Sequence, residues 1–77
     1  MANVVVYSTQ TCPFCTMAED FLRQNKVKFK HFDVGSDKAG LKEMMKKSGQ
    51  TGVPVIDIDG KIIIGFNEAA IREALGL

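Results

Sequence analysis

The stretch Val4-Val5-Val6-Tyr7-Ser8-Thr9-Gln10-Thr11-Cys12-Pro13-Phe14-Cys15 decides the fold, because it joins a β-branched run to two cysteines at the mouth of a helical pattern. Val4 to Tyr7 read as a short strand buried on both faces, ended by the polar residues Ser8 to Thr11. Cys12 then opens a helix. Pro13 suits the first helical position, where its missing N–H is no loss. Phe14, Met17, Ala18, Phe21 and Leu22 follow at the spacing of one helix face, which predicts a core stripe. Glu19 and Arg23 are spaced for an exposed i, i+4 pair, and Asn25 suits the C-terminal stop.

Further along, Val27 to Val34 alternates as Val27, Lys28, Phe29, Lys30 and then loses phase at His31 and Phe32, which predicts an edge strand with a bulge or an early end. Ser36 and Asp37 can cap a second helix with Leu41, Met44 and Met45 on its apolar stripe, Lys46 and Lys47 in its last turn and Gly49 beyond. Gly40 weakens that helix by about 1 kcal/mol relative to Ala. Val53 to Ile58 and Lys61 to Ile64 flank Asp59-Gly60, a dipeptide suited to a two-residue type I′ turn, so they read as an antiparallel hairpin. Gly65 ends the second strand and Asn67 caps a last helix carrying Ile71, Ala74 and Leu75, with Phe66 and Ile71 placed as a hydrophobic staple. The order is β-α-β-α-β-β-α, an α/β start joined to an antiparallel hairpin.

Seventy-seven residues, 45% of them apolar and 25% charged, make a single domain over residues 1–77 that should fold as a monomer. No apolar run approaches the roughly 20 residues needed to span a bilayer, and Met1 to Ser8 has no basic, apolar leader, so a cytoplasmic address is expected. A net charge of +1 argues against a nucleic-acid partner. Between Arg23 and Lys47, however, eight basic residues face three acidic ones, a local excess that can attract small anions.

Cys12 and Cys15 are the only cysteines. In a cytosolic chain a structural disulfide would be reduced. A closed zinc site needs four ligands, and beyond the two thiols only His31 and carboxylates without ligand spacing are on offer. Redox catalysis by the dithiol is the remaining reading. Residues three apart in a first helical turn share a face, so the pair can close a disulfide with little backbone change. At the cap, Cys12 lies where unpaired N–H groups converge, including those of Phe14 and Cys15, and a thiolate there is stabilised. This makes Cys12 the nucleophile and Cys15 the resolving thiol. A stabilised thiolate attacks no faster overall, since nucleophilicity falls with basicity, but it leaves more readily when a mixed disulfide at Cys12 is resolved. The Val53-Pro54 bond reads as trans on base rates, whereas a cis bond would turn the Val53 backbone outward toward an extended peptide.

The whole chain resembles a glutaredoxin. The resemblance rests on Tyr7-Ser8, then Cys12-Pro13-Phe14-Cys15, Thr51-Gly52-Val53-Pro54, and Gly65 before Asn67-Glu68, in the order and spacing of that family. It implies a thioredoxin fold with a four-stranded mixed sheet flanked by three helices, a cis Pro54, and glutathione as co-substrate with no bound cofactor or metal. It also implies a glutathione site. Cys12 would carry the mixed disulfide with Phe14 beside it, and Val53 and Pro54 would pair with the cysteinyl backbone. Asn67 and Glu68 at the start of the last helix would receive the γ-glutamyl carboxylate and Gln50 and Thr51 would help hold the glycyl end, with Thr9 and Gly65 also in the site. The expected partners are glutathione and glutathionylated or disulfide-containing proteins.

Two departures from the family pattern stand out. Thr9 replaces a common Lys, and Ile64-Gly65-Phe66 replaces a Gly-Gly element. Gly-Phe at that place resembles the glutaredoxin-like redoxins that serve ribonucleotide reductase and are recycled by thioredoxin reductase. A cluster-binding protein with glutathione and iron-sulfur is disfavoured by Pro13. His31 reads as a partly exposed strand residue and not a base. Met17, Met44 and Met45 read as core, and Lys38, Lys42, Lys46 and Lys47 as a solvated face.

Overall fold

The computed structural model describes residues 3–77. The elements run β1 (Val4–Ser8), α1 (Pro13–Gln24), β2 (Lys30–Asp33), α2 (Lys38–Ser48), β3 (Val55–Ile58), β4 (Lys61–Ile64) and α3 (Glu68–Leu75), the order expected from the sequence. Across the sheet the strands lie β2-β1-β3-β4. β1 runs parallel to β2 and antiparallel to β3, and β3 pairs antiparallel with β4.

Strand alternation sorts the side chains into two layers. Val4 and Val6 of β1, Ile56 and Ile58 of β3 and Ile63 of β4 meet Ala18, Phe21 and Leu22 of α1 and Ile71 of α3. On the opposite face Tyr7, Val55 and Val34 pack with Met44 of α2, joined by Val5, Phe32, Leu41 and Ile62. Full burial of side chains such as Leu22, Ile56, Ile58 and Ile71 stabilises the fold by about 1.5–3 kcal/mol each.

The second strand differs from expectation in a telling way. Ladder pairing starts only at Lys30, yet Val27 and Phe29 pack on the α1 layer while Phe32 and Val34 pack on the α2 layer. Alternation is therefore intact through the segment, and no bulge is needed. His31 is a polar residue at a position facing α1, and that is what looked like a loss of phase. The hairpin also starts later than expected, at Val55. Its turn has Asp59 at φ 51° and Gly60 at φ 92°, the left-handed pair that a type I′ turn requires.

Side-chain caps hold all three helices. Cys12, Asp37 and Asn67 accept the N–H groups of Cys15, Gly40 and Ala70, and Gly49 and Gly76 end α2 and α3 in the left-handed conformation. Phe66 and Ile71 join one apolar cluster at the entry to α3, as a staple would place them. Gly40 has a packing reason. A Cβ there would lie 3.2 Å from Asp37 Oδ2 and 3.4 Å from Phe32 Cβ, so the cap and the sheet occupy the space.

Three core assignments are corrected. Phe14 is 60% exposed, Met17 47% and Met45 44%. In α1 the buried face is Cys15, Ala18, Phe21 and Leu22, because that side of the helix docks on the sheet. Lys47 lies on the exposed face, as expected, but its ammonium is paired. Its Nζ donates to Tyr7 Oη at 2.9 Å and to Asp57 Oδ2 at 2.8 Å, tying α2 to β1 and β3. Both partners hold the ammonium charged, raising its pKa.

Candidate active site

The site forms where β1 hands over to α1. Cys12 is the N-cap, with extended backbone at φ −102° and ψ 107°, and its Sγ accepts the Cys15 N–H at 3.2 Å. That sulfur therefore serves as the capping group, satisfying one of the N–H groups a helix start leaves unpaired. The Cys12 carbonyl accepts the Thr16 N–H at 3.2 Å, closing the first turn. Both thiols are free.

The two sulfurs differ in surroundings. Cys12 is half-buried, whereas Cys15 is 2% exposed. Burial, and next the hydrogen bond with Cys12, push the Cys15 thiol up to about 12. At neutral pH Cys15 is thus protonated and shielded.

The Val53-Pro54 bond is cis. Val53 presents its carbonyl oxygen 3.8 Å from Cys12 Sγ, a weak thiol-to-carbonyl contact that brings the loop before β3 against the helix cap. Pro54's carbonyl in turn accepts the Gly65 N–H at 2.8 Å, and Gly65, at φ 81°, leads into Asn67. Hydrogen bonds thereby link Cys12, Val53, Pro54 and Gly65 across three separate parts of the chain.

The other residues singled out in the sequence fall less uniformly. Phe14 stands exposed one residue before Cys15, available at the surface. Asn67 is engaged as the α3 cap, its Oδ1 accepting the Ala70 N–H at 3.1 Å, and Glu68 pairs with Arg72 at 3.3 Å. Gln50 is occupied within its own loop. Its Nε2 donates to the Gly52 carbonyl at 3.0 Å and its Oε1 accepts the Gly52 N–H, so it braces the exposed Thr51-Gly52 segment. Thr9 lines a cavity of about 380 Å3 with Gln10, Thr11, Asp33, Gly35 and Ser36. Among the described residues, no group of three or more His, Cys, Asp or Glu side chains is placed to hold a metal ion.

Sequence reasoning missed one part of this region. Ser8, Glu19 and His31 gather beside Cys15. The available signal was the spacing of Glu19, four residues after Cys15 and so on the same helix face.

A sheet of this order, with a dithiol at the first helix N-terminus, defines the thiol-disulfide oxidoreductase class built on the thioredoxin fold. The glutaredoxin family model matches residues 4–63. The chain is 44% identical over 72 residues to a glutaredoxin-like 8.6 kDa protein of the rubredoxin operon of Clostridium pasteurianum, covering 94% of this chain and 96% of that one. It is 38% identical over 76 residues to glutaredoxin 3 of Escherichia coli strain K12, covering 99% and 92%. A solved glutaredoxin from Archaeoglobus fulgidus superposes with a TM-score of 0.87 at 29% identity, covering 97% of this chain and 87% of that one. The chain belongs to the glutaredoxin family, whose members are thiol-disulfide oxidoreductases.

Proposed function

We propose that the protein reduces glutathione mixed disulfides and protein disulfides, with Cys12 as nucleophile, Cys15 as resolving thiol and glutathione as reductant. The observation that carries this reading is the asymmetry of the pair: Cys12 is half-buried at a helix cap, and Cys15 is buried and protonated one turn in. With a glutathionylated protein, Cys12 sulfur attacks the glutathione sulfur, the protein thiol leaves, and a second glutathione thiolate releases Cys12 as glutathione disulfide. With a protein disulfide, Cys12 becomes bonded to the substrate, and Cys15 displaces it at high effective concentration.

The Val53 carbonyl beside Cys12 supports a role for the Val53 and Pro54 backbone in aligning the cysteinyl part of glutathione. Phe14 gives an exposed apolar contact at its side. The start of α3, reached through Gly65, offers the Glu68 backbone N–H to the γ-glutamyl carboxylate, the Asn67 N–H being donated to the Gly65 carbonyl. Thr9 and Thr51 remain the candidates for the glycyl end. The protein would act as a single-domain monomer in the cytoplasm, without a bound cofactor. Cys15→Ser should retain most deglutathionylation and lose protein-disulfide reduction, while Cys12→Ser should lose both. A folded Cys15→Ser protein unable to deglutathionylate would refute the glutathione reading.

A second reading is favoured by Thr9 standing where a cation is common and by the engagement of the Gln50 amide in its own loop. Both weaken the grip on glutathione. In that case a thioredoxin reductase recycles the dithiol, and ribonucleotide reductase is the candidate acceptor. Turnover of a small disulfide with glutathione and glutathione reductase, against turnover with thioredoxin reductase, separates the two. An iron-sulfur protein is disfavoured by Pro13, and a colourless purified protein would agree with that.

A further inference from the structure

Behind Cys15, on the side away from Val53, lies a cleft of about 240 Å3 whose walls include Ser8, Cys15, Glu19 and His31. That is far more than the about 15 Å3 one water needs. The fold assembles it by simple periodicities. Ser8 shares the α1 face of β1 with Val4 and Val6, and the parallel register sets His31 opposite Val6. Glu19 follows Cys15 by one helical turn.

These side chains are joined to one another. Glu19 is only 13% exposed, and its Oε2 accepts the Ser8 hydroxyl at 3.3 Å and lies 3.3 Å from His31 Nε2. Ser8 Oγ is also hydrogen-bonded to His31 Nε2. Glu19 Oε1 faces the Arg23 guanidinium at 3.6 Å. His31 is 47% exposed, so its ring spans from the cleft to solvent. β1 contributes only the Ser8 hydroxyl, and on β2 Asp33 directs its carboxylate to the Gly35 N–H at 3.0 Å. From α1, Cys15, Thr16 and Glu19 line the cleft, and Glu19 also pairs with Arg23.

We propose that the Glu19–His31 pair accepts the proton that Cys15 loses when it resolves a mixed disulfide at Cys12, with water in the cleft as the carrier. This rests on the dithiol reading above. The Cys15 sulfur uses its S–H electron pair to form the Cys12–Cys15 bond, and its proton passes through water to the imidazole. The Cys12–substrate bond breaks with its pair on the substrate sulfur, which leaves as thiolate and takes a proton from solvent. The two electrons come from the dithiol. Glu19 balances the imidazolium, Ser8 orients both groups, and the solvent edge of the ring returns the proton to bulk water. Glu19 and His31 are thus positioning residues for the resolving step, acting through water.

The test is single-turnover reduction of a disulfide-bonded peptide by the pre-reduced protein, followed across pH. His31→Gln and Glu19→Gln should slow the resolving step by about 100-fold near neutrality. The deficit should shrink as hydroxide takes over at higher pH, and added imidazole should recover part of the His31→Gln rate. The same substitutions placed on Cys15→Ser, which has no resolving step, should produce no such slowing of deglutathionylation. Wild-type rates in both variants would overturn the proposal. So would equal slowing in the Cys15→Ser background, or a deficit constant across pH with no imidazole recovery. If Cys15→Ser alone kept protein-disulfide reduction, the dithiol reading would fall first and this inference with it.

Discussion

Raising the pH on the reduced protein should ionise Cys15 far later than an ordinary thiol. Burial first, and then the hydrogen bond with Cys12, push it from 9.0 up to about 12. At tenfold per pH unit, this lowers its thiolate fraction at neutral pH by about 1000-fold. The assay is iodoacetamide labelling at stepped pH, with Cys12 and Cys15 distinguished by fragment ions in tandem mass spectrometry. Cys15 labelling should be negligible near neutrality and keep climbing about tenfold per pH unit toward about pH 12. In Cys12→Ser the thiol partner is gone but burial remains, so Cys15 should still titrate above the ordinary value. The same shift has a stability consequence. An unfolded chain ionises this thiol near pH 9.0, whereas native Cys15 does not, so this contribution is complete below that pH. It is lost as pH climbs toward about 12, at about 1.4 kcal/mol per unit, and Cys15→Ala should remove that part of the alkaline slope. Labelling of Cys15 at the free-thiol rate with a midpoint near 9 would refute the reasoning, because it would mean the thiol is not desolvated.

Lys47→Met should destabilise the protein by about 1–2 kcal/mol, since it leaves Tyr7 Oη and the Asp57 carboxylate without their shared donor, and urea denaturation reads the loss. Asn67→Ala removes the cap on Ala70 N–H and should cost about 1 kcal/mol, lowering the melting temperature by about 4–8 °C. Thr9→Lys restores a cation beside the dithiol and should lower the Michaelis constant for a glutathionylated substrate, by about tenfold if the contact is worth about 1.4 kcal/mol. An unchanged constant in steady-state assays would mean another group already serves the glycyl carboxylate.

Much of the architecture was legible because local chemistry and fold agree. The β-branched run Val4–Val6, the cap and proline at Cys12-Pro13, the Asp59-Gly60 turn and the Asn67 cap each have one good structural solution, and each takes it. The core face of α1 was less legible. Phe14 and Met17 fit a helical stripe as well as Cys15 does, and only docking on the sheet turned the thiol inward and left the larger side chains exposed. Apolar character at helical spacing says that a face is buried, but the rotation of the helix is set by what it packs against.

What the sequence determined by itself was the dithiol at a helix start, the element order and the hairpin, all of which depend on residues near one another in the chain. What the tertiary structure alone decided was who meets whom. Val53 reaches Cys12 across 41 positions, Lys47 reaches Tyr7 across 40, and His31 joins Ser8 across 23. His31 looked like a break in alternation because the partner that explains it sits on the neighbouring strand. Contacts of that kind follow from strand order and register, which no local pattern encodes, and the surroundings of Cys15 are built from them.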